Sequence, residues 1–128
     1  MKIYGPDLSF VVGPIFPLSP AIEVGDLVFL SGQVALRDGA VEGDVAEQTH
    51  VVFDSIASIL GQAGLTLGHI AKATVWLTDP KDFAAFNVVY CERLKVPYPA
   101  RSCVISQLAL ADARVEIEVI ASRSHMRS

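Results

Sequence analysis

Arg114-Val115-Glu116-Ile117-Glu118-Val119-Ile120-Ala121 repeats with the period of two that marks a β-strand. Successive strand side chains leave opposite faces, so Val115, Ile117, Val119 and Ala121 point one way and Glu116, Glu118 and Ile120 the other. Just upstream, Pro99-Ala100-Arg101-Ser102-Cys103 opens a second strand after a proline-fixed start. The two strands are expected over about 101–107 and 114–122, joined by an Ala/Leu/Asp connection. Arg101 and the glutamates Glu116 and Glu118 are charges set among apolar strand residues. Such a charge is either paired or placed to meet a ligand.

Outward from this pair, Phe83, Phe86, Asn87, Tyr90 and Leu94 form the stripe of an amphipathic helix. It starts near Asp79-Pro80, where proline is tolerated in a first turn, and stops at Pro97-Tyr98-Pro99. Ala71–Thr78 reads as the strand before it, with Trp76 assigned to the core. Val45, Thr49, Val52, Phe53, Ile56, Ile59, Leu60 and Ala63 recur at helical spacing and predict a long helix over about 45–63. Asp44 with Glu47 forms a capping-box pattern at its start, and Gly64 sits where helices end. Asp26–Gly32 reads as a buried strand continued by Val34-Ala35-Leu36, and Arg37-Asp38-Gly39-Ala40 as a turn of the Asp-Gly kind.

The remaining ends are loop-like. Residues 1–17 read as an extended N-terminal segment with an edge strand at Leu8–Val12, and 123–128 as a flexible tail carrying Arg123, His125 and Arg127. The order β-β-α-β-α-β-β gives an α+β fold, a mixed sheet with two helices on one face. Leu27/Phe29 and Val28/Leu30 make a central strand apolar on both sides. The uncovered face is therefore expected to meet another copy of the chain.

Composition narrows the function classes. A chain of 128 residues, 52% hydrophobic and 19% charged, fits one domain spanning 1–128 with a real core. Its formal charge of −4 argues against a phosphate-backbone binder, so no nucleic-acid partner is expected. No apolar run approaches the roughly 18 residues of a membrane span, and Gly5, Pro6 and Asp7 break any signal-peptide core. The two cysteines, Cys91 and Cys103, have no metal-ligand spacing, which makes a reducing cytoplasm the expected location.

Arginine suits bidentate capture of a small carboxylate because its planar fork matches two oxygens, and a nearby carboxylate can hold a water or move a proton. The alternative is a structural ion pair between Arg101 and one of the glutamates at a strand edge; from the residues alone both stay open. Cys103 alternates onto the face of Arg101, and no histidine is placed to activate it. His50 (in the first helix), His69 (before a strand) and His125 read as surface or capping residues. Ser31-Gly32-Gln33 offers a hydroxyl and close backbone approach at a strand end, against an ordinary strand terminus. Asn87 is a polar residue on an apolar stripe, satisfied by backbone or by ligand. Physical chemistry alone stops at an oligomeric α+β domain with an arginine-based anion site.

These same residues carry a likeness. Val28-Phe29-Leu30-Ser31-Gly32-Gln33, the helix from Asp82-Phe83 through Asn87 to Tyr90, Pro99-Ala100-Arg101-Ser102-Cys103-Val104 and Val115-Glu116-Ile117-Glu118 stand in the order that resembles the RidA/YjgF family of enamine/imine deaminases. The likeness covers about residues 18–122. It implies a chorismate-mutase-like fold, a homotrimer with the sheets forming a central barrel, and ligand sites between subunits. By position, Arg101 would bind the substrate carboxylate, Glu116 would hold the attacking water, Cys103 would line the pocket, and Ser31 and Asn87 would lie near it. The implied reaction is hydrolysis of 2-imino acids to 2-keto acids and ammonia, with no metal and no organic cofactor. Many deaminating members carry a tyrosine where this chain has Leu18, which becomes a further pocket residue. Ile105–Leu110 also lacks the basic and proline residues often found there. A non-catalytic small-carboxylate-binding regulator using the same cleft is the competing expectation. RNA cleavage, attached to some members, has no electrostatic footing in an acidic chain.

Overall fold

The computed structural model describes residues 1–5 and 17–124. Within them lie strands β1 (Lys2–Tyr4), β2 (Ala21–Val24), β3 (Leu27–Leu30), β4 (Leu36–Arg37) and β5 (Ala40–Val41), then helix α1 (Val45–Gln62). Strand β6 (Ile70–Leu77), helix α2 (Phe83–Leu94) and strands β7 (Ala100–Ile105) and β8 (Val115–Ser122) follow. Six strands form one mixed sheet in the order β1-β2-β3-β8-β6-β7, and β4 with β5 makes a separate hairpin.

The alternating stretch 115–122 sits inside the sheet, antiparallel to β3 on one side and to β6 on the other. Because β3 and β6 both oppose β8, they run the same way, and α1 crosses between them. Strands β6 and β7 are parallel, with α2 as their crossover. Crossovers of one hand put both helices on one face. The core between helices and sheet includes Val52, Phe53, Ile56 and Leu60 of α1, Phe86 and Tyr90 of α2, and Val115, Ile117 and Val119 of β8. Phe53 is fully buried and meets Tyr90 edge-on at 5.9 Å; truncating such a side chain costs about 3–5 kcal/mol.

Local chemistry sets the boundaries. The Asp44 carboxylate accepts the Glu47 N–H at 2.9 Å while Glu47 accepts the Asp44 N–H at 3.2 Å, a complete capping box. Asp38 (φ 52°) and Gly39 (φ 79°) form the hairpin turn between β4 and β5. The connection before β8 is locked from afar. Gln48 of α1 donates to the Gly43 and Asp112 carbonyls and accepts the Arg114 N–H at 2.8 Å. The Arg114 guanidinium in turn grips buried Asp82 at 3.1 and 2.8 Å.

The structure corrects several expectations. Strand β2 was not foreseen, because the core-side Glu23 masks its alternation; that carboxylate is matched by Arg123 and Tyr4. Val34-Ala35-Leu36 does not continue β3, which ends at Leu30. The chain leaves the ladder through Gly32 and keeps one bridge, Gln33 to Ile117. Trp76 is not in the core: it alternates onto the open face of the sheet, half-buried, opposite Glu116. Phe83 is exposed rather than buried on the α2 stripe. Arg123 is not part of a loose tail, since its guanidinium holds Glu23 at 2.7 and 2.8 Å. The edge strand expected at Leu8–Val12 lies outside the described residues, as do His125 and Arg127. No helix among the described residues is long and apolar enough to cross a membrane.

Candidate functional site

Register decides what the sheet brings together. Ala73 pairs with Arg101 and Val75 with Cys103, and both β6 residues are buried beneath the helices. Paired residues of neighbouring strands share a face, so Arg101 and Cys103 lie on the helix-covered side. Trp76, on the opposite side of β6, pairs with Glu116. Glu116 therefore stands on the open face, and within one chain it does not meet Arg101. The strand-edge ion pair between these two is absent from the protomer.

Arg101 is held by neutral groups. Its Nη1 donates to Asn87 Oδ1 at 2.9 Å, and its guanidinium lies 4.8 Å from the Tyr90 ring centroid, 5.7 Å from Phe86 and 5.8 Å from Phe83. Cation–π contacts orient the fork without neutralising it. Arg37, Arg93, Arg114 and Arg123 each pair with a carboxylate; among the described arginines Arg101 alone does not. It opens onto a cavity of about 350 Å³ lined with Asn87, Tyr90, Cys91, Tyr98 and Pro99. Cys103 lies half-buried against the core beside it. Burial pushes the thiol above its ordinary range, with the Arg101 charge pulling the other way. That favours a neutral thiol over a thiolate nucleophile, and Cys103 is not among the residues that line this cavity, contrary to the expectation that it would.

The open face carries a second group. Ser31 follows β3, and its hydroxyl donates to the Ser19 carbonyl at 2.6 Å. With Ser19, Ile22, Phe29, Glu118 and Ile120 it lines a hollow of about 320 Å³. Leu18, next to Ser19, is 48% exposed and lines neither cavity. The Glu116 carboxylate packs over Gly32, where a Cβ would collide with it. Burial, and secondarily the Glu118 charge, raises the Glu116 carboxyl above its ordinary pKa. Such a group is poised for proton transfer nearer neutrality than a free carboxylate.

The five proposed site residues other than Leu18 thus fall into two half-sites. Arg101, Asn87 and Cys103 belong to the helix side of edge strand β7; Ser31 and Glu116 belong to the open face. Sequence reasoning did not find the aromatic setting of Arg101, in particular Phe83 and Tyr98, or the use of Gly32 by Glu116. Pro97-Tyr98-Pro99 was legible only as a helix stop. Thr66 and His69 cap one another's turn, so His69 takes the capping role expected of it. Among the described residues no group of three His, Cys, Asp or Glu side chains is arranged to hold a metal ion.

Comparison with known proteins follows the same residues. The family profile described as Endoribonuclease L-PSP matches residues 11–123. The mitochondrial protein mmf2 of Schizosaccharomyces pombe is 41% identical over 110 residues, covering 83% of this chain and 87% of its own. TdcF of Escherichia coli, whose name places it with the reactive intermediate deaminases, is 38% identical over 117 residues, 88% of this chain and 91% of its own. The crystal structure of Escherichia coli TdcF with bound serine superposes with a TM-score of 0.82 at 35% identity, covering 96% of this chain and 99% of that one. RidA from an Antarctic Psychrobacter gives 0.80 at 34% identity, over 84% and 89% of the two chains. Profile, sequence and fold agree: this chain belongs to the endoribonuclease L-PSP family, the family of YjgF and RidA.

Proposed function

We propose that the protein hydrolyses reactive 2-imino or enamino acids to 2-keto acids and ammonia, at a site shared by two copies of the chain. The observation that carries this reading is Arg101, a fixed guanidinium with no carboxylate partner among the described residues, facing a cavity. Its fork takes the substrate carboxylate in two parallel N–H···O bonds. Ionised Glu116 of a second copy accepts a proton from water as the water oxygen bonds to the imine carbon. The C=N π pair moves to nitrogen, which takes up a proton. The carbinolamine then passes its hydroxyl proton to the amino nitrogen, the C–N bond breaks as C=O forms, and ammonia leaves. Holding water and carboxylate in register supplies much of what an already electrophilic carbon needs.

The assembly proposed is a homotrimer with the open faces turned inward. Its support is the separation of the two half-sites and the apolar residues left on that face, with Phe29 40% and Leu27 39% exposed. RNA is not the proposed substrate, despite the family's description, because a chain of charge −4 lacks the basic footprint. The two free cysteines suit a reducing compartment; the cytoplasm is our assignment, and the mitochondrial relative marks the alternative.

A coupled assay tests the reading. A dehydratase or amino-acid oxidase generates the imine, and semicarbazide trapping follows its loss. The wild type is expected to accelerate loss and Arg101→Ala to do nothing; equal acceleration by both overturns the proposal. Leu18, which offers no hydroxyl, favours a second reading as a non-catalytic carboxylate binder. Arg101-dependent binding of a 2-keto acid without imine turnover selects it.

A further inference from the structure

We propose that Gly32 is a positioning residue for Glu116: its bare Cα sets where that carboxylate stands on the open face. The proposal deepens the imine-hydrolase reading, and only its kinetic arm rests on it. Gln33 donates to the Ile117 carbonyl at 2.8 Å and accepts the Ile117 N–H at 3.0 Å, which fixes the 31–33 segment against β8. In this antiparallel bridge Glu118 stands opposite Gly32 and Val34 opposite Glu116, so the Glu116 side chain reaches diagonally back across the segment to lie over Gly32. A Cβ on Gly32 would overlap the carboxylate and lie 2.9 Å from Cδ and 3.2 Å from Cγ.

Backbone freedom does not explain this glycine. Gly5, Gly25, Gly39, Gly43 and Gly64 adopt positive φ, and Gly32 does not. Its φ does not call for glycine, and what glycine provides here is space. Polar contacts do not fix the carboxylate either, for no hydrogen bond or ion pair to it is made among the described residues. Among the described strands of the sheet, the charged groups on the same face are Glu118 on β8 and Lys72 on β6; the 31–33 segment has none. Packing over Gly32, opposite Trp76, is what sets both its direction and its partial burial.

The test reads the carboxyl itself. Carbon-13 NMR titration of Glu116 is run on wild type and Gly32→Ala, with kcat, KM and melting temperature measured on the same samples. Displaced toward solvent, Glu116 is expected to titrate at lower pH in Gly32→Ala. Its kcat is expected to fall about 10–100-fold with KM within roughly threefold and melting nearly unchanged. Glu116→Asp, one methylene shorter, clears the new methyl; it is expected to cost activity in wild type yet restore part of it in Gly32→Ala. An unchanged Glu116 titration, or losses that simply multiply, overturns the proposal. If Gly32→Ala alone does not fold, the double variant is expected to fold, and its failure also overturns it. A wild type without imine hydrolysis sinks the proposed function only, because the titration still decides the role of Gly32.

Discussion

Arg37 and Arg93 pair with Asp54, Arg114 with Asp82 and Arg123 with Glu23, whereas Arg101 is clasped by an amide and three rings. An amide and π-faces hold a guanidinium in place and leave its charge available to an incoming anion. Arg101→Lys keeps the charge but loses the planar fork and the stacking, so kcat/KM for imine loss should fall about 10–100-fold, as a double-reciprocal titration would show. Glu116 makes a separate prediction. A base must be ionised, and burial raises this carboxyl. Activity should therefore rise with pH through a limb displaced upward from the ordinary carboxylate range, and Glu116→Gln should abolish the limb; a pH profile of kcat/KM checks both. Arg101 was legible in the sequence because a charge on an apolar strand is conspicuous, whereas Glu116 was told from Glu118 only by the family likeness. Their separation was not legible. It depends on β6 lying between β7 and β8, and pairing order is absent from strand alternation.

Elements whose cause is local were read well. Helix α1 begins at a capping box four residues long, Asp44 to Glu47, and ends at Gln62, two residues before the glycine expected to stop it. Asp44→Ala should cost about 1 kcal/mol, measurable as a lower urea midpoint at unchanged slope. Elements fixed by distant partners were read poorly. Strand β2 hides its period behind Glu23, which is explained by Tyr4 and by Arg123 a hundred residues later. The 106–114 connection looks featureless, yet Gln48 and Asp82 pin its end through Asp112 and Arg114. Trp76 shows the opposite failure: a large apolar residue was assigned to the core, but strand alternation delivers it to the face no helix covers.

At the scale of the molecule, the Glu23–Arg123–Tyr4 cluster joins the first strands to the end of β8. The Arg123 guanidinium and the Tyr4 hydroxyl lower the Glu23 pKa from 4.5 to about 2. Its contribution to stability is complete above pH 4.5 and lost as the pH falls toward 2. Denaturation midpoints over that window should lose part of their slope in Glu23→Gln. The open face predicts assembly. The wild type is expected to sediment as the proposed trimer and Phe29→Glu as monomers, with far-UV circular dichroism native in both. Placing Arg101 and Glu116 on opposite sides of one sheet has a genetic consequence. In the proposed shared site, Arg101→Ala and Glu116→Gln each disable a different half, so neither chain alone is expected to make a working interface. Dissociated, mixed in equal amounts and reassembled, they should complement one another, recovering about a quarter of wild-type turnover, the chance that an interface draws its intact half from each kind of chain.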